Sequence, residues 1–341
     1  MDKILVTGGL GYIGSHTVVE LQKEGFEVVI IDDLSNSSVE TLDRIKAITG
    51  KNPQFEELDL KEKDRVEAFF KTYKDLKGII HFAASKAVGE SVNHPLKYYE
   101  NNISTLVYIL KALQDLETSN FIFSSSCTVY GQADELPITE EAPVKKAESP
   151  YGNTKQIGEE IIQEVCKINS EFNAIALRYF NPIGAHDSAL IGELPIGIPQ
   201  NLVPFITQTA IGLREELSVF GDDYPTEDGT CIRDYIHVVD LAKAHVVALK
   251  RLLESNNKTN YETFNLGTGT GSSVMEVIKS FERVSGEKLN YKIVERREGD
   301  IIAAYADTEK ANKELGWKAH LTLNDAMLSA WEWEKKLREN L

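Results

Sequence analysis

Residues 3–33 read KILVTGGLGYIGSHTVVELQKEGFEVVIIDD: an apolar run, a glycine-rich turn, an amphipathic stretch and a second apolar run. Strand, turn, helix and strand are compressed into about thirty residues, and few folds accept that order of elements. Gly8, Gly11 and Gly14 are spaced GxxGxxG. Gly8 permits the tight turn, Gly11 lets an anion approach the backbone, and Gly14 lets the helix pack close to the strand. The helix opens at Tyr12 and Ile13, where its N-terminus would face a pyrophosphate. Asp32 ends the second strand, eighteen residues past Gly14. A carboxylate there accepts hydrogen bonds from ribose hydroxyls and repels a 2′-phosphate, which predicts NAD rather than NADP. Asp33 and Asn36 could also reach the adenosine ribose, or could simply form a polar loop.

The same alternation continues. Further strands are expected at 55–58, 78–83, 120–124 and 174–179, with amphipathic stretches at 12–24, 61–73 and 104–116. Nearly all-apolar strands alternating with helices imply a parallel sheet covered on both faces. Six strands with right-handed crossovers predict an α/β, doubly wound, Rossmann-type sheet. Beyond residue 180 glycine and proline thicken. Residues 1–180 are read as the dinucleotide-binding domain and 181–341 as a smaller mixed α/β substrate lobe, with some segments returning to the first.

Composition narrows the partners. The 341 residues carry a formal net charge of −16, which repels nucleic-acid backbones and anionic lipid. No apolar run approaches the roughly 18 residues of a membrane span. Cys127, Cys166 and Cys231 have neither CxxC nor paired spacing, so free thiols and no metal site are expected. Met1-Asp2-Lys3 leads straight into the first strand without a signal peptide's apolar core. A cytoplasmic protein is the expectation.

Tyr151 and Lys155, in SPYGNTK, lie four residues apart and so on one helix face. A phenol titrates near 10, too high for a base at neutral pH, and a neighbouring ammonium lowers it. Such a pair can take a proton from a sugar hydroxyl as hydride leaves the same carbon. Tyr73 and Lys77 share the spacing but sit in a charged helix exit, KTYKDLKG, and are assigned to the surface. Ser126, in FIFSSSCTVYG, stands at the C-terminal end of a buried strand, where open α/β sheets bind ligands. Its hydroxyl could hold the substrate oxygen. Ser124 and Ser125 could merely finish the strand.

Glycine fingerprint, strand-end serine and YxxxK together resemble the extended short-chain dehydrogenase/reductase superfamily. The strings HFAASKAVGESV, RYFNPIGAH, GIPQNLVPFI, DYPTEDGTCIRDYIHVVDLA, NLGTGTGSSV and RREGD are similar to its sugar-nucleotide epimerases, from about residue 3 to beyond 330. The resemblance implies C4 epimerisation of a UDP-hexose with tightly bound NAD. Tyr151 would take the O4 proton as hydride leaves C4. The 4-keto sugar would turn over and recover hydride on its other face.

Site positions follow from the resemblance one by one. Asp59 and Leu60 match the adenine contact. Phe82, Ala83, Lys86, Asn101, Ser124 and Phe180 match further cofactor positions, with a surface-loop lysine the alternative for Lys86. Tyr179, Asn181, Asn201 and Leu202 match the UDP-sugar side. Phe220 falls at the uracil pocket, or packs in the core. Arg233 and Arg297 would offer guanidinium forks to the diphosphate, or form surface ion pairs, and Asp300 would take a ribose hydroxyl. Ala304 occupies a gating position where some relatives carry Tyr, which implies room for N-acetylated sugars unless Tyr305 swings into the space. The resemblance also implies a homodimer built on helices near 104–116 and 157–167. Two rivals remain: a nucleotide-sugar 4,6-dehydratase, and a non-catalytic NAD-sensing protein on the same fold.

Overall fold

The computed structural model describes residues 1–114, 116, 119–297 and 300–339. The N-terminal half runs β1 (Lys3–Thr7), α1 (Tyr12–Lys23), β2 (Glu27–Asp32), α2 (Glu40–Thr49), β3 (Gln54–Glu57), α3 (Lys63–Thr72), β4 (Leu76–His81), α4 (Val88–Asn93), α5 (Pro95–Tyr99), α6 (Thr105–Leu113), β5 (Asn120–Ser124), α7 (Pro150–Ile168) and β6 (Asn173–Tyr179). A π-turn at Glu100–Ser104 joins α5 to α6.

After β6 come β7 (Asn181–Ile183), α8 (Leu202–Ala210), β8 (Leu217–Phe220), β9 (Ile232–Arg233), β10 (Tyr235–His237) and α9 (Val238–Leu253). The chain continues through β11 (Tyr261–Leu266), β12 (Ser272–Ser273), α10 (Val274–Ser285), β13 (Tyr291–Val294), β14 (Ala303–Ala304) and α11 (Leu323–Glu339).

Among the described residues, seven parallel strands form the central sheet in the order β11-β6-β5-β4-β1-β2-β3. The expected doubly wound sheet is therefore present, with one strand more than the six expected. The addition is β11, contributed by the C-terminal half and paired along β6 from Tyr261↔Ala174 to Leu266↔Tyr179. The same half also sends α9 back to pack on α1 and the sheet.

Period-two alternation divides the strand residues between two buried layers. Ile4, Val6, Val28, Ile30, Ile80 and Ile122 face one way, into a cluster with Val18, Leu241 and Leu249. Leu5, Val29, Ile31, Ile79, Phe121 and Phe123 face the other, against Phe70, Ile109 and Ile162. With both faces covered, the inner strand ends are pinned in register. Thr7 stands beside Ile31 and His81, and Ser124 beside Leu177, so the loops that follow open along one edge.

Buried Asn102 ties that edge together from the π-turn. Its Nδ2 donates to Ser85 O and to Thr154 Oγ1, each at 3.0 Å, and its Oδ1 accepts from Ser85 N at 2.8 Å. Replacing Asn102 with Ala would strand these partners without water. The expected cost is about 1–3 kcal/mol. Urea denaturation measures it, and an unchanged midpoint would contradict the role.

Candidate active site

The glycine turn is built by close backbone approach. Gly8 has φ +68°, and a Cβ there would stand 2.9 Å from Ala83 N. A Cβ on Gly14 would fall 2.1 Å from Gly8 O, a distance no side chain can occupy. Gly11 is the N-cap of α1, with no side-chain cap and no acidic residue in the first turn. The N–H groups of that first turn are thus free for an anion.

Asp32 stands at the end of β2, where burial raises its pKa. Three donors oppose that effect: Leu10 N at 3.0 Å, Leu34 N at 3.0 Å and Ser37 Oγ at 2.7 Å. Asp33 is exposed and accepts from Ser35 N and Oγ, and Asn36 is exposed beside it. Asp59 accepts from Lys61 N at 2.9 Å, and Leu60 is buried in the core. Phe82 N donates to Thr7 O and Ala83 N to Thr7 Oγ1, placing both at the end of β4. These groups fit a dinucleotide. The first turn of α1 would hold its pyrophosphate, and Asp32 a ribose.

The reactive side chains come from the other half of the same edge. Ser149 caps α7, its Oγ accepting from Gly152 N at 3.1 Å, and Pro150 fills the first turn. This cap fixes where Tyr151 and Lys155 point, and both are buried. Lys155 Nζ donates to Ser124 O at 2.7 Å and stands 4.9 Å over the Phe123 ring and 5.9 Å from the Tyr151 ring centre. Burial lowers the Lys155 pKa to about 8, while the Glu159 carboxylate pulls it upward.

Tyr151 departs from expectation. Lys155 was expected to lower its pKa, but in the protein alone burial dominates and holds it well above the ordinary phenol value. A neighbouring Tyr179 adds to the rise, and a hydrogen bond with Ser126 opposes it. Ser126 also accepts from Thr128 N at 3.2 Å, and Ser124 Oγ pairs with Tyr179 OH at 2.6 Å. Phe180 is buried next to them, its N–H donating to Leu266 O.

Across the edge, β9 lies between β12 and β14 and carries Arg233. Arg233 is ion-paired with Asp300, the alternative the sequence left open for it. The Arg297 guanidinium stacks 3.9 Å over the Phe220 ring. Glu298 and Gly299 of the RREGD string lie outside the described residues. Ala304 pairs with Arg233 in β14 and is buried with Val129, Tyr130 and Phe180. The next residue, Tyr305, lies against Gly271, where a Cβ would stand 3.1 Å from its ring.

Asn181 and Asn201 are exposed, and Leu202 opens α8. Asn101 donates to Ser85 Oγ at 3.2 Å. Lys86 and Asn201 converge on a residue the sequence did not single out. Glu193 Oε1 lies 3.4 Å from Lys86 Nζ and accepts from Asn201 Nδ2 at 2.5 Å. Asn102 was missed in the same way. Each reaches a partner far along the chain, Thr154 for Asn102 and Lys86 for Glu193, and no local pattern marks them.

A sheet edge with a glycine cradle at one end and a Tyr/Lys/Ser cluster at the other is the arrangement of a dinucleotide-dependent enzyme acting on a hydroxyl group. Residues 5–329 match the family model described as GDP-mannose 4,6 dehydratase. UDP-glucose 4-epimerase of Bacillus subtilis is 50% identical over 331 residues, covering 97% of this chain and 96% of that protein. The crystal structure of UDP-glucose 4-epimerase from Stenotrophomonas maltophila with bound NAD and formylated UDP-arabinopyranose superposes with a TM-score of 0.96, at 46% identity and full coverage of both chains. The enzyme from Bifidobacterium longum, in complex with NAD+ and UDP, gives 0.94 at 45% identity, again over the whole of both chains. The chain belongs to the UDP-glucose 4-epimerase family of NAD-dependent isomerases.

The depressed Lys155 pKa carries a testable sign. The folded protein bears the cost of a buried ammonium below about pH 8. That cost vanishes as pH rises to the ordinary lysine value of 10.5. Lys155→Met removes it at every pH. The stability of Lys155→Met relative to the wild type should therefore decline between pH 8 and 10.5 in thermal denaturation. A constant difference would contradict the assignment.

Proposed function

We propose that this protein interconverts UDP-glucose and UDP-galactose, with Tyr151, Lys155 and Ser126 as the reacting groups. The observation that carries the reading is the buried Tyr151–Lys155 pair on a capped helix, facing the strand-end hydroxyl of Ser126. When bound, NAD⁺ would supply the hydride acceptor and donor for C4 of the sugar, and the groups of this chain act at O4. Tyr151 takes the O4 proton and later gives it back, while Ser126 holds O4 between the two steps. Lys155 presents a positive charge that favours the phenolate. Arg233 and Arg297 meet the diphosphate and Phe220 the uracil, with Asn181, Asn201, Leu202 and Asp300 completing the nucleotide side. Lys86, Asn101, Ser124, Tyr179 and Phe180 line the nicotinamide and sugar end.

Dehydration is disfavoured by the residues after Ser126. Elimination across C5–C6 needs an acid and a base, and Cys127 and Thr128 stand there. Burial pushes the Cys127 thiol up to about 12, so it stays neutral and does neither job. A silent NAD sensor would not require Tyr151 and Lys155 on one buried face.

The protein acts as a homodimer in the cytoplasm on this reading. Val107 and Tyr108 on α6 and Ile157, Ile161 and Val165 on α7 are apolar and only half-buried, as a helix-to-helix interface requires. Among the described residues no helix is long and apolar enough to cross a membrane.

Purified protein given UDP-galactose and no added cofactor should form UDP-glucose. Tyr151→Phe should lower kcat by about 10²–10⁴. Full turnover by that variant would remove Tyr151 from the mechanism. At the sugar pocket, Ala304→Tyr should suppress turnover of UDP-N-acetylglucosamine at least tenfold more than turnover of UDP-glucose. Equal losses for both would refute the gate.

A further inference from the structure

Glu159 lies one turn beyond Lys155 and two beyond Tyr151, so all three share a face of α7. It is buried, and its carboxylate is fully engaged. Arg178, on β6 and equally buried, meets it with Nη2 at 2.6 Å from Oε2 and Nε at 3.0 Å from Oε1. Ser125 Oγ donates to Oε1 at 2.5 Å. The guanidinium continues to Tyr130 OH at 3.0 Å, which donates to Asn265 Oδ1 at 2.6 Å. Tyr261 OH stands 3.4 Å from Oε2.

A buried ion pair is a poor source of stability, because desolvation offsets much of the attraction. What this one does have is a single contact with the reacting groups. Ser125 sits between Ser124, whose carbonyl takes the Lys155 ammonium, and Ser126, whose hydroxyl stands beside the Tyr151 phenol. Its backbone N–H is held by Leu177 O at 2.9 Å, and its fully buried side chain turns toward Glu159. Arg178 fixes the carboxylate from the far side, so the Ser125 hydroxyl has a rigid acceptor.

We propose that Glu159 is a positioning residue for proton transfer: through Ser125 it fixes the strand-end turn that holds Tyr151 and Lys155, and its carboxylate supports the ammonium from behind. This rests on the reading of Tyr151 and Lys155 given above. The other titratable groups around the ammonium are Tyr151 itself and His81 on β4. His81 is bound through Nδ1 to Thr7 Oγ1 at 2.7 Å and stays neutral, since burial and the Lys155 charge lower its pKa to about 3. Around the carboxylate stand Arg178, Tyr130 and Tyr261. Among the described residues, Glu159 is the carboxylate one helical turn beyond Lys155 on the same face of α7.

Two variants test this. Ser125→Ala removes the linking hydroxyl yet leaves Glu159 paired with Arg178, so no buried charge is uncovered. It should keep the wild-type melting temperature and KM while kcat for UDP-galactose falls about tenfold, as slight misplacement of reacting groups does. Glu159→Gln should shift the alkaline limb of the kcat–pH profile to lower pH, because Lys155 loses its supporting anion. A Ser125→Ala protein with kcat within twofold of wild type, or a folded Glu159→Gln protein with an unmoved alkaline limb, overturns the proposal. If Glu159→Gln does not fold, Ser125→Ala decides alone. Tyr151→Phe run alongside separates the two levels: if it is inactive while both variants behave as wild type, only the role of Glu159 falls. If it is fully active, the reading beneath falls too.

Discussion

A lysine ammonium buried within the protein, on the helix that also carries Tyr151, sets the terms for the residues around it. Lys155 is almost wholly removed from water. A charge so placed needs an acceptor on the spot, and the Ser124 carbonyl at 2.7 Å supplies it. That carbonyl is available because β5 ends there, beside Leu177 of β6. The end of β5 thus does two jobs, closing the sheet and holding the cation. Ser126, two residues on, reaches Tyr151 from the same turn.

The parallel sheet makes this arrangement rigid. Strands buried on both faces cannot slip by one residue without turning their apolar side chains around. Their C-terminal ends are therefore held in line, from the glycine turn after β1 to the serines after β5. Gly14 tightens one end, since any side chain there would collide with Gly8 O. Ser149 tightens the other by fixing the first turn of α7. Between them the cradle for a dinucleotide and the phenol that would act on the sugar belong to one edge.

Much of this was legible in the sequence because it is written in local patterns. Apolar runs of five or six residues, a glycine turn and a Ser-Pro helix start each carry their own physics. The seventh strand was not read, because YETFNL alternates polar and apolar residues and runs directly into a glycine-rich loop. It is an edge strand paired only with β6, and it lacks the continuous apolar run that marked the inner strands. Asn102 and Glu193 were invisible for a different reason, since Thr154 and Lys86, which they tie in, lie 52 and 107 residues away. The Tyr151 pKa shows the same limit: the sequence names its neighbours but not its burial, and burial decides the direction.

Direct return of hydrogen to the carbon it left is the claim on which the catalytic account turns. UDP-galactose carrying deuterium at C4, converted in ordinary water, tests it with one mass spectrum. The account predicts UDP-glucose that retains the deuterium at C4. Loss of the label to solvent would mean that the C4 hydrogen leaves as a proton, and the Tyr151–Lys155 mechanism would be wrong.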